Sequence, residues 1–529
     1  MRKAPFLPLW LAAVATVAVQ AMALATRYFQ PWLDGDYLLP ERFATDVVAG
    51  IYPLSGWTLS SSPYLFPDFA LSIAWHAVLR GAPLLPFYVV TSYLALALLT
   101  GWSLQRLGQP EGRGWLLGAL LVNVLLACQG LADHARWLWW LGTATFHGGA
   151  VLLGLAQFAL WAGPPGTAPG RSRTLVATLL LCLGLASDAL LLTQFVVPLG
   201  LALFLTAEKP RWRSPRLRSL LTALGLAGLF VAVLRATLHF AQWWNFPSVV
   251  RHAPTPPAVA GATGRMLTDL AGPVSTAVPV FVALFLLGSG AALWLGRRKS
   301  LSPEQRQAGW FAGACLASTL ALPALAVYWQ NPQNGRYLLP CMVIPLWWLL
   351  ILLPKEKSSG PLAGGIVAMA LLGLLLWRAP QIDFSQWARP YPERVAALDR
   401  FLATQGQTRG LADFWHANYL NFTSRQVHLN QLRPDGRVQF WGNNAFHHFE
   451  TENPDNSLRT PRYDFIIAND LDWAALREKF GEPHQVHRVG DYVVWLYDEP
   501  SAQRVSALVD TEVRAFLRDR PGTERIANQ

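Results

Sequence analysis

The chain has 529 residues, of which 53% are hydrophobic and only 14% charged, and its mean hydropathy is +0.27. A soluble globular domain carries about 25% charged residues, so this balance excludes an ordinary soluble protein and points to a polytopic membrane protein. The formal net charge of +11 does not mark a nucleic-acid binder, because the basic residues concentrate in short loops between apolar segments, where the positive-inside bias puts them.

Met1-Arg2-Lys3 precedes the first long apolar segment. A basic start stays in the cytoplasm, so this segment should emerge on the opposite face. Its length and the lack of a clean small-residue cleavage site argue against a cleaved signal peptide. The stretch that follows is Gln30-Pro-Trp-Leu-Asp34-Gly-Asp36-Tyr37-Leu-Leu-Pro-Glu41-Arg42. It sets two carboxylates just outside the membrane, and ionisable groups at membrane depth suggest a functional site by default. Such a pair could deprotonate an acceptor hydroxyl or hold a cation; the plainer alternative is the start of a solvated loop.

Residues 64–81 carry Tyr64, Pro67, Asp68, His76 and Arg80 in a short apolar run. We read them as a re-entrant or juxtamembrane helix of the first outer loop. The alternative is that they span and that 174–206 is one tilted helix. The Arg106–Arg113 loop is expected inside and the region from Asp133 to His147 outside. His147, in Phe146-His147-Gly148-Gly149, opens a span; a substrate contact competes with close helix packing through the Gly pair. Asp188 sits between the runs 174–187 and 190–206 and reads as an outer hairpin turn. There it either caps a helix N-terminus or takes part in chemistry.

The loop Glu208–Arg218 is the most basic, and with Arg297-Arg298-Lys299 and Lys355-Glu-Lys357 it is placed in the cytoplasm. Alternation then puts about 239–272, about 328–337 and everything after about Trp377 outside. Within the second of these, Gln330-Asn-Pro-Gln-Asn-Gly-Arg336-Tyr337-Leu-Leu-Pro340 is a polar turn entering a span with an arginine at the boundary. A guanidinium there donates a bidentate fork to a phosphate or simply snorkels to the interface. About twelve apolar segments approach the roughly 20 residues that a bilayer requires, and an odd count of crossings follows from the assigned termini. Trp pairs at segment ends suit interfacial aromatic belts.

After Arg378 the composition turns mixed polar. Tyr463–Ile467 and Tyr492–Tyr497 read as strands, and Pro390–Leu402 and Trp473–Phe480 as helices. Together they suggest a small α/β or α+β domain, and about 150 residues suffice for its own core. His447-His448 reads as a surface loop rather than a metal site. The four cysteines all fall in apolar segments, leaving no disulfide framework in the soluble part. No zinc, nucleophile-elbow, P-loop or dinucleotide fingerprint stands in a credible context.

An acidic pair at the start of a long first outer loop, many spans, a late Arg336-Tyr-Leu-Leu-Pro340 turn and a C-terminal soluble domain together resemble the GT-C class. These are integral-membrane glycosyltransferases that use polyprenyl-phosphate-linked sugars. The resemblance covers most of residues 1–378. Where the class has a Pro-Pro-Leu-Tyr-like helix start, this chain has Ser62-Pro63-Tyr64-Leu65-Phe66-Pro67. Gly410-Leu-Ala-Asp413-Phe-Trp415-His-Ala-Asn418-Tyr419 is similar to the periplasmic tail of bacterial members.

The resemblance implies a polytopic α-helical bundle of about 11–13 transmembrane helices in the GT-C manner, over 1–378, and a periplasmic α/β or α+β domain over 379–529. It implies a bacterial inner-membrane protein with a cytoplasmic N-terminus and a periplasmic C-terminus. The expected reaction moves a sugar from a polyprenyl-phosphate donor to a glycan, lipid or protein acceptor, with inversion. Asp34, slightly favoured over Asp36, would be the base. Arg336, with Arg251 or His252, would offset the donor phosphate. Tyr37, His147, Asp188 and Tyr337 are candidate substrate contacts. No cofactor is demanded, though Asp34 and Asp36 could hold Mg²⁺ or Mn²⁺ through oxygen ligands. The competing classes are a lipid or glycan transporter or flippase, and a non-catalytic membrane scaffold.

Overall fold

The structure is a computed structural model that describes residues 7–59, 62–79, 83–110, 112–130, 134–163, 167–208, 211–240, 255–271, 277–296, 301–325, 332–353, 361–450 and 459–520. It is 73% helical, with a small sheet region near the C-terminus. The N-terminal part comprises α1 (Leu7–Tyr28), α2 (Gly35–Ala49), a short strand β1 (Trp57–Thr58), α3 (Ala70–Leu79), α4 (Leu85–Arg106), α5 (Arg113–Ala127) and α6 (His134–Gly142). It continues with α7 (Gly148–Trp161), α8 (Arg171–Ser187), α9 (Val197–Thr206), α10 (Pro215–Phe240), α11 (Pro256–Ala271), α12 (Ala277–Gly296), α13 (Pro303–Leu325), α14 (Pro340–Leu352) and α15 (Pro361–Arg378).

Among the described residues, five helical stretches are long and apolar enough to cross a membrane: Leu7–Tyr28, Leu85–Arg106, Pro215–Thr237, Asn334–Leu352 and Gly364–Gln381. Five shorter apolar helices accompany them there. The segment Leu65–Leu79 is one of the short helices; it begins at Tyr64 in the left-handed region and turns irregularly at Phe66. The run 174–206 breaks at Asp188, whose backbone is extended.

Small residues let helices approach closely. A Cβ on Gly118 would lie 2.3 Å from the Gly101 amide nitrogen, so α4 and α5 touch backbone to backbone. Some polar groups inside the bundle are paired across helices: Gln20 Nε2 donates to Asn123 Oδ1 at 2.7 Å, and Trp347 Nε1 to Ser103 Oγ at 2.7 Å. Unpaired, each would cost the desolvation of a polar group.

The region after Arg378 contains α16 (Glu393–Thr404), β2 (Arg409–Asp413), α17 (Phe414–Thr423), β3 (His428–Leu432), β4 (Asn443–Asn444), β5 (Phe465–Ile467), α18 (Trp473–Phe480), β6 (Gln485–Val489), β7 (Tyr492–Leu496) and α19 (Glu499–Arg518). Its main sheet runs β3-β2-β5-β7-β6. β2 is parallel to both β3 and β5, and β7 is antiparallel to β5 and β6. Gly410 is required in β2, since a Cβ there would meet the Phe465 ring at 2.5 Å.

The loop after α2 is stitched to this region. β1 pairs antiparallel with β4, Trp57 opposite Asn444. The buried Arg520 donates to the carbonyls of Ser55 (2.7 Å) and Trp57 (2.8 Å). Asn444 Nδ2 reaches Asp46 Oδ2 at 2.8 Å. The C-terminal sheet region thus fixes where α2 lies.

Candidate functional site

Asp34 begins α2 as its N-cap. Its Oδ1 accepts from the amides of Asp36 (2.9 Å) and Tyr37 (3.3 Å), two of the donors a helix start leaves orphaned. Asp34 is therefore a helix start rather than a free loop residue, and one oxygen is already committed. Asp36, in the first turn, points its carboxylate at Arg336: Oδ2 lies 4.0 Å from Nη1, with side chains 22% and 27% exposed. These two residues, 300 positions apart, face each other because the short 3₁₀ segment Pro332–Leu338 leads into α14 beside the start of α2.

Burial pushes the Asp36 carboxyl up to about 7; the Asp34 charge adds to the rise and Arg336 opposes it. Burial also pushes Asp34 up to about 6, against the two amides and Arg336. Water reaches one side of Asp34, so it feels this surround less than Asp36 does. Near pH 7 the Asp36 carboxyl is therefore about half protonated while Asp34 is mostly ionised.

Arg336 is framed by aromatic faces. Its guanidinium carbon lies 5.3 Å from the Phe146 ring centre and 5.5 Å from that of Tyr337, within cation–π reach. Its Nε is buried and has no hydrogen-bond partner among the described residues. A buried donor left unmet costs about 1–3 kcal/mol.

Tyr37 stacks on Phe146 at 4.5 Å, and Thr145 Oγ1 donates to the Asp36 carbonyl at 3.1 Å. Thr145 and His147 both have positive φ, near 67°, a conformation that non-glycine residues adopt at some cost. His147 Nδ1 lies 2.7 Å from Asp188 Oδ2, both side chains 7% exposed. The His147 ring also neighbours those of Tyr337 (5.1 Å) and Tyr64 (5.7 Å). Gln194 Nε2 holds the Tyr337 carbonyl at 2.7 Å.

The two readings of Asp188 coexist. Oδ1 accepts the Leu190 amide at 2.9 Å, a cap-like bond, while Oδ2 holds His147. The Gly pair also does what packing requires: a Cβ on Gly148 would lie 2.3 Å from the Leu141 carbonyl, and one on Gly149 2.7 Å from the Pro67 ring.

The structure thus brings together Asp34, Asp36, Tyr37, His147, Asp188, Arg336 and Tyr337. Arg251 and His252 lie outside the described residues. Sequence reasoning missed Thr145, Phe146 and Tyr64; the polar interruption Thr143-Ala-Thr145-Phe146 between apolar runs was the available signal for the first two. It also misjudged His447-His448. His448 is fully buried, and His447 lies 3.0 Å from Asp46 Oδ1, because the turn carrying them tucks under α2.

One set of donors has metal-like spacing. Asp413, His416 and Asp470 place three ligand atoms within 4.8 Å of one another. Asp413 already caps α17 through Oδ1 and holds His416 Nδ1 at 2.5 Å through Oδ2, which accounts for the cluster without an ion. Comparison with protein-family models and with curated proteins finds no match to the chain.

Proposed function

We propose that the chain is a membrane glycosyltransferase of the GT-C type, moving a sugar from a polyprenyl-phosphate donor to a hydroxyl acceptor on the outer face of a bacterial inner membrane. The observation that carries this reading is the Asp36–Arg336 pair, a carboxylate facing a partly unsatisfied guanidinium beside an apolar helical bundle. A transferase using a lipid phosphate needs both: a base for the acceptor and a counter-charge for the leaving group.

In this reaction the acceptor O–H gives its proton to Asp36. Its oxygen forms the new bond to the anomeric carbon, and the bond from that carbon to the phosphate oxygen breaks. The electron pair leaves with the polyprenyl phosphate, whose growing charge Arg336 offsets. A single displacement inverts the anomeric centre. Asp36, at about 7, is matched to general-base work near neutral pH, while Asp34 holds the helix start and tunes its neighbour. Thr145 and Tyr37 fix the position of that first turn. The C-terminal region, in the periplasm, holds α2 through β1–β4.

The test is transfer by purified protein in nanodiscs from a panel of polyprenyl-phosphate hexoses and pentoses. Wild type should transfer at least one, and Asp36→Asn should lose about 10²–10⁴-fold in rate. Equal rates would remove the reading. A transporter reading draws on other groups: Asp68, hydrogen-bonded to Tyr88, and the His147–Asp188 pair are buried ionisable groups among apolar helices, as a translocation path would have. It predicts lipid movement without a new glycosidic bond.

A further inference from the structure

α2 turns a second face toward the C-terminal region, away from Asp36 and Arg336. A cavity of about 340 Å³ lies there, lined among others by Glu41, Arg42, Arg389, Asn418, Asn421 and His447. A second space of about 180 Å³ shares Arg42 and His447 with it and adds Arg409, His428 and Tyr463. Together they form one cleft of the size that holds a small ligand.

The charge in this cleft is unbalanced. Arg42 donates to the amide oxygens of Asn418 and Asn443 and to His447 Nδ1. Arg389 donates to the carbonyls of Phe422 and Asn421. Among the described residues neither of them, nor Arg409, is ion-paired with a carboxylate.

Among the described residues, the two acids beside Arg42 and Arg389, Asp46 and Glu41, do not offset them fully. Asp46 is occupied by three neutral donors: His447 Nε2–H at 3.0 Å, Trp57 Nε1 at 2.7 Å and Asn444 Nδ2 at 2.8 Å. Because Arg42 donates to Nδ1, the His447 proton sits on Nε2, which makes that ring neutral. Burial pushes the Glu41 carboxyl up to about 7, so it is partly protonated at neutral pH. His428 carries the mark of the excess: after burial, the positive charges of Arg409 and Arg389 push it down. The side-chain Nδ2 of Asn418, a residue 1% exposed, is buried without a partner.

We propose that this cleft binds an anionic saccharide through its phosphate or carboxylate group. Arg42 and Arg389, held by neutral acceptors, supply positive charge, and Arg409 supplies the planar donors that match such oxygens. The Nδ2 of Asn418 meets a hydroxyl, and the faces of Phe422 and Tyr52 meet the sugar's C–H surface. The proposal stands whether or not the chain transfers sugars, since neither Asp36 nor Arg336 lines the cleft.

The phosphate chemistry is shared by free sugar phosphates and by lipid headgroups, and the experiment separates them. Full-length protein in phosphatidylcholine nanodiscs is titrated calorimetrically with glucose 1-phosphate, glucuronate, glucose and inorganic phosphate. The two anionic sugars should bind and glucose should not. Arg409→Gln, at the rim, should weaken binding about tenfold or more, the scale of a charge-assisted hydrogen bond, and Arg409→Lys should recover part of it. Arg336→Gln should leave it unchanged.

Several results would overturn the proposal. One is no binding of either anionic sugar at millimolar concentration. Another is loss of binding on Arg336→Gln instead of Arg409→Gln, which would move the ligand to the Asp36–Arg336 site. Inorganic phosphate binding as tightly as glucose 1-phosphate would leave an anion site without a sugar. Competition by phosphatidylglycerol in the nanodisc would assign the cleft to lipid headgroups.

Discussion

The Asp36 carboxyl offers a prediction whose sign is set by its neighbours. If Asp36 is the base, transfer requires its ionised form, so kcat/KM should rise with pH through about 7. With unit slope, the rate at pH 5 should be roughly fiftyfold below that at pH 7, since about 1% rather than about half of the carboxyl is ionised. Two neighbours act on that limb in opposite directions. Asp34 raises the Asp36 pKa and Arg336 lowers it, so Asp34→Asn should move the limb to lower pH and Arg336→Gln to higher pH.

A unit charge at 4 Å is worth about 1 kcal/mol in water and about 4 at an effective dielectric constant of 20. With Arg336 at 4.0 Å from Asp36, its removal should shift the limb by roughly one to three pH units. Asn is as good an N-cap as Asp, so Asp34→Asn keeps the start of α2 and isolates the charge. The assay is the pH profile of kcat/KM between pH 5 and 9 in nanodiscs, with stability checked at each end. Shifts in the same direction for both variants, or no shift in either, would refute Asp36 as the titrating base.

Arg336→Ala should weaken binding of a polyprenyl-phosphate sugar as well as turnover, because a phosphate contact exists in ground and transition states alike; equilibrium binding to the purified variant reads this directly. His147→Ala should destabilise the fold by about 3 kcal/mol or more, because it strands the buried Asp188 carboxylate. The double variant with Asp188→Ala should cost less than the sum of the two single changes, as judged by thermal unfolding in detergent. A reporter active only in the periplasm, fused after Gln529, should be active; activity of a cytoplasmic reporter instead would invert the assigned topology and with it the side of the membrane on which Asp36 lies.

The parts legible in the sequence were those where polarity interrupts apolar runs. Asp34-Gly-Asp36, His147, Asp188 and Arg336-Tyr337 each stood out as costly groups at segment ends, and the structure gathers them into one cluster of contacts. Their individual tasks were not legible, because a cap and a base are both carboxylates; only the bonds from the amides of Asp36 and Tyr37 to Asp34 separate the two. In the C-terminal region, the strand around Phe465–Ile467 and the helix Trp473–Phe480 announced themselves by pattern. β2 and β3 did not. Arg409-Gly-Leu-Ala-Asp413 and His428-Leu-Asn-Gln-Leu432 lack a β-branched run, and they are strands because parallel pairing around α17 buries them. The burial of His447 and His448 was equally hidden, since it depends on contact with α2 from 400 residues upstream.

The most direct test of the Asp36–Arg336 site is an experimental map of the protein with a polyprenyl-phosphate sugar bound. The phosphate should lie within hydrogen-bond distance of Arg336, including its unpaired Nε, with the anomeric carbon turned toward Asp36. A lipid phosphate bound elsewhere, out of reach of Arg336, would contradict the proposed chemistry.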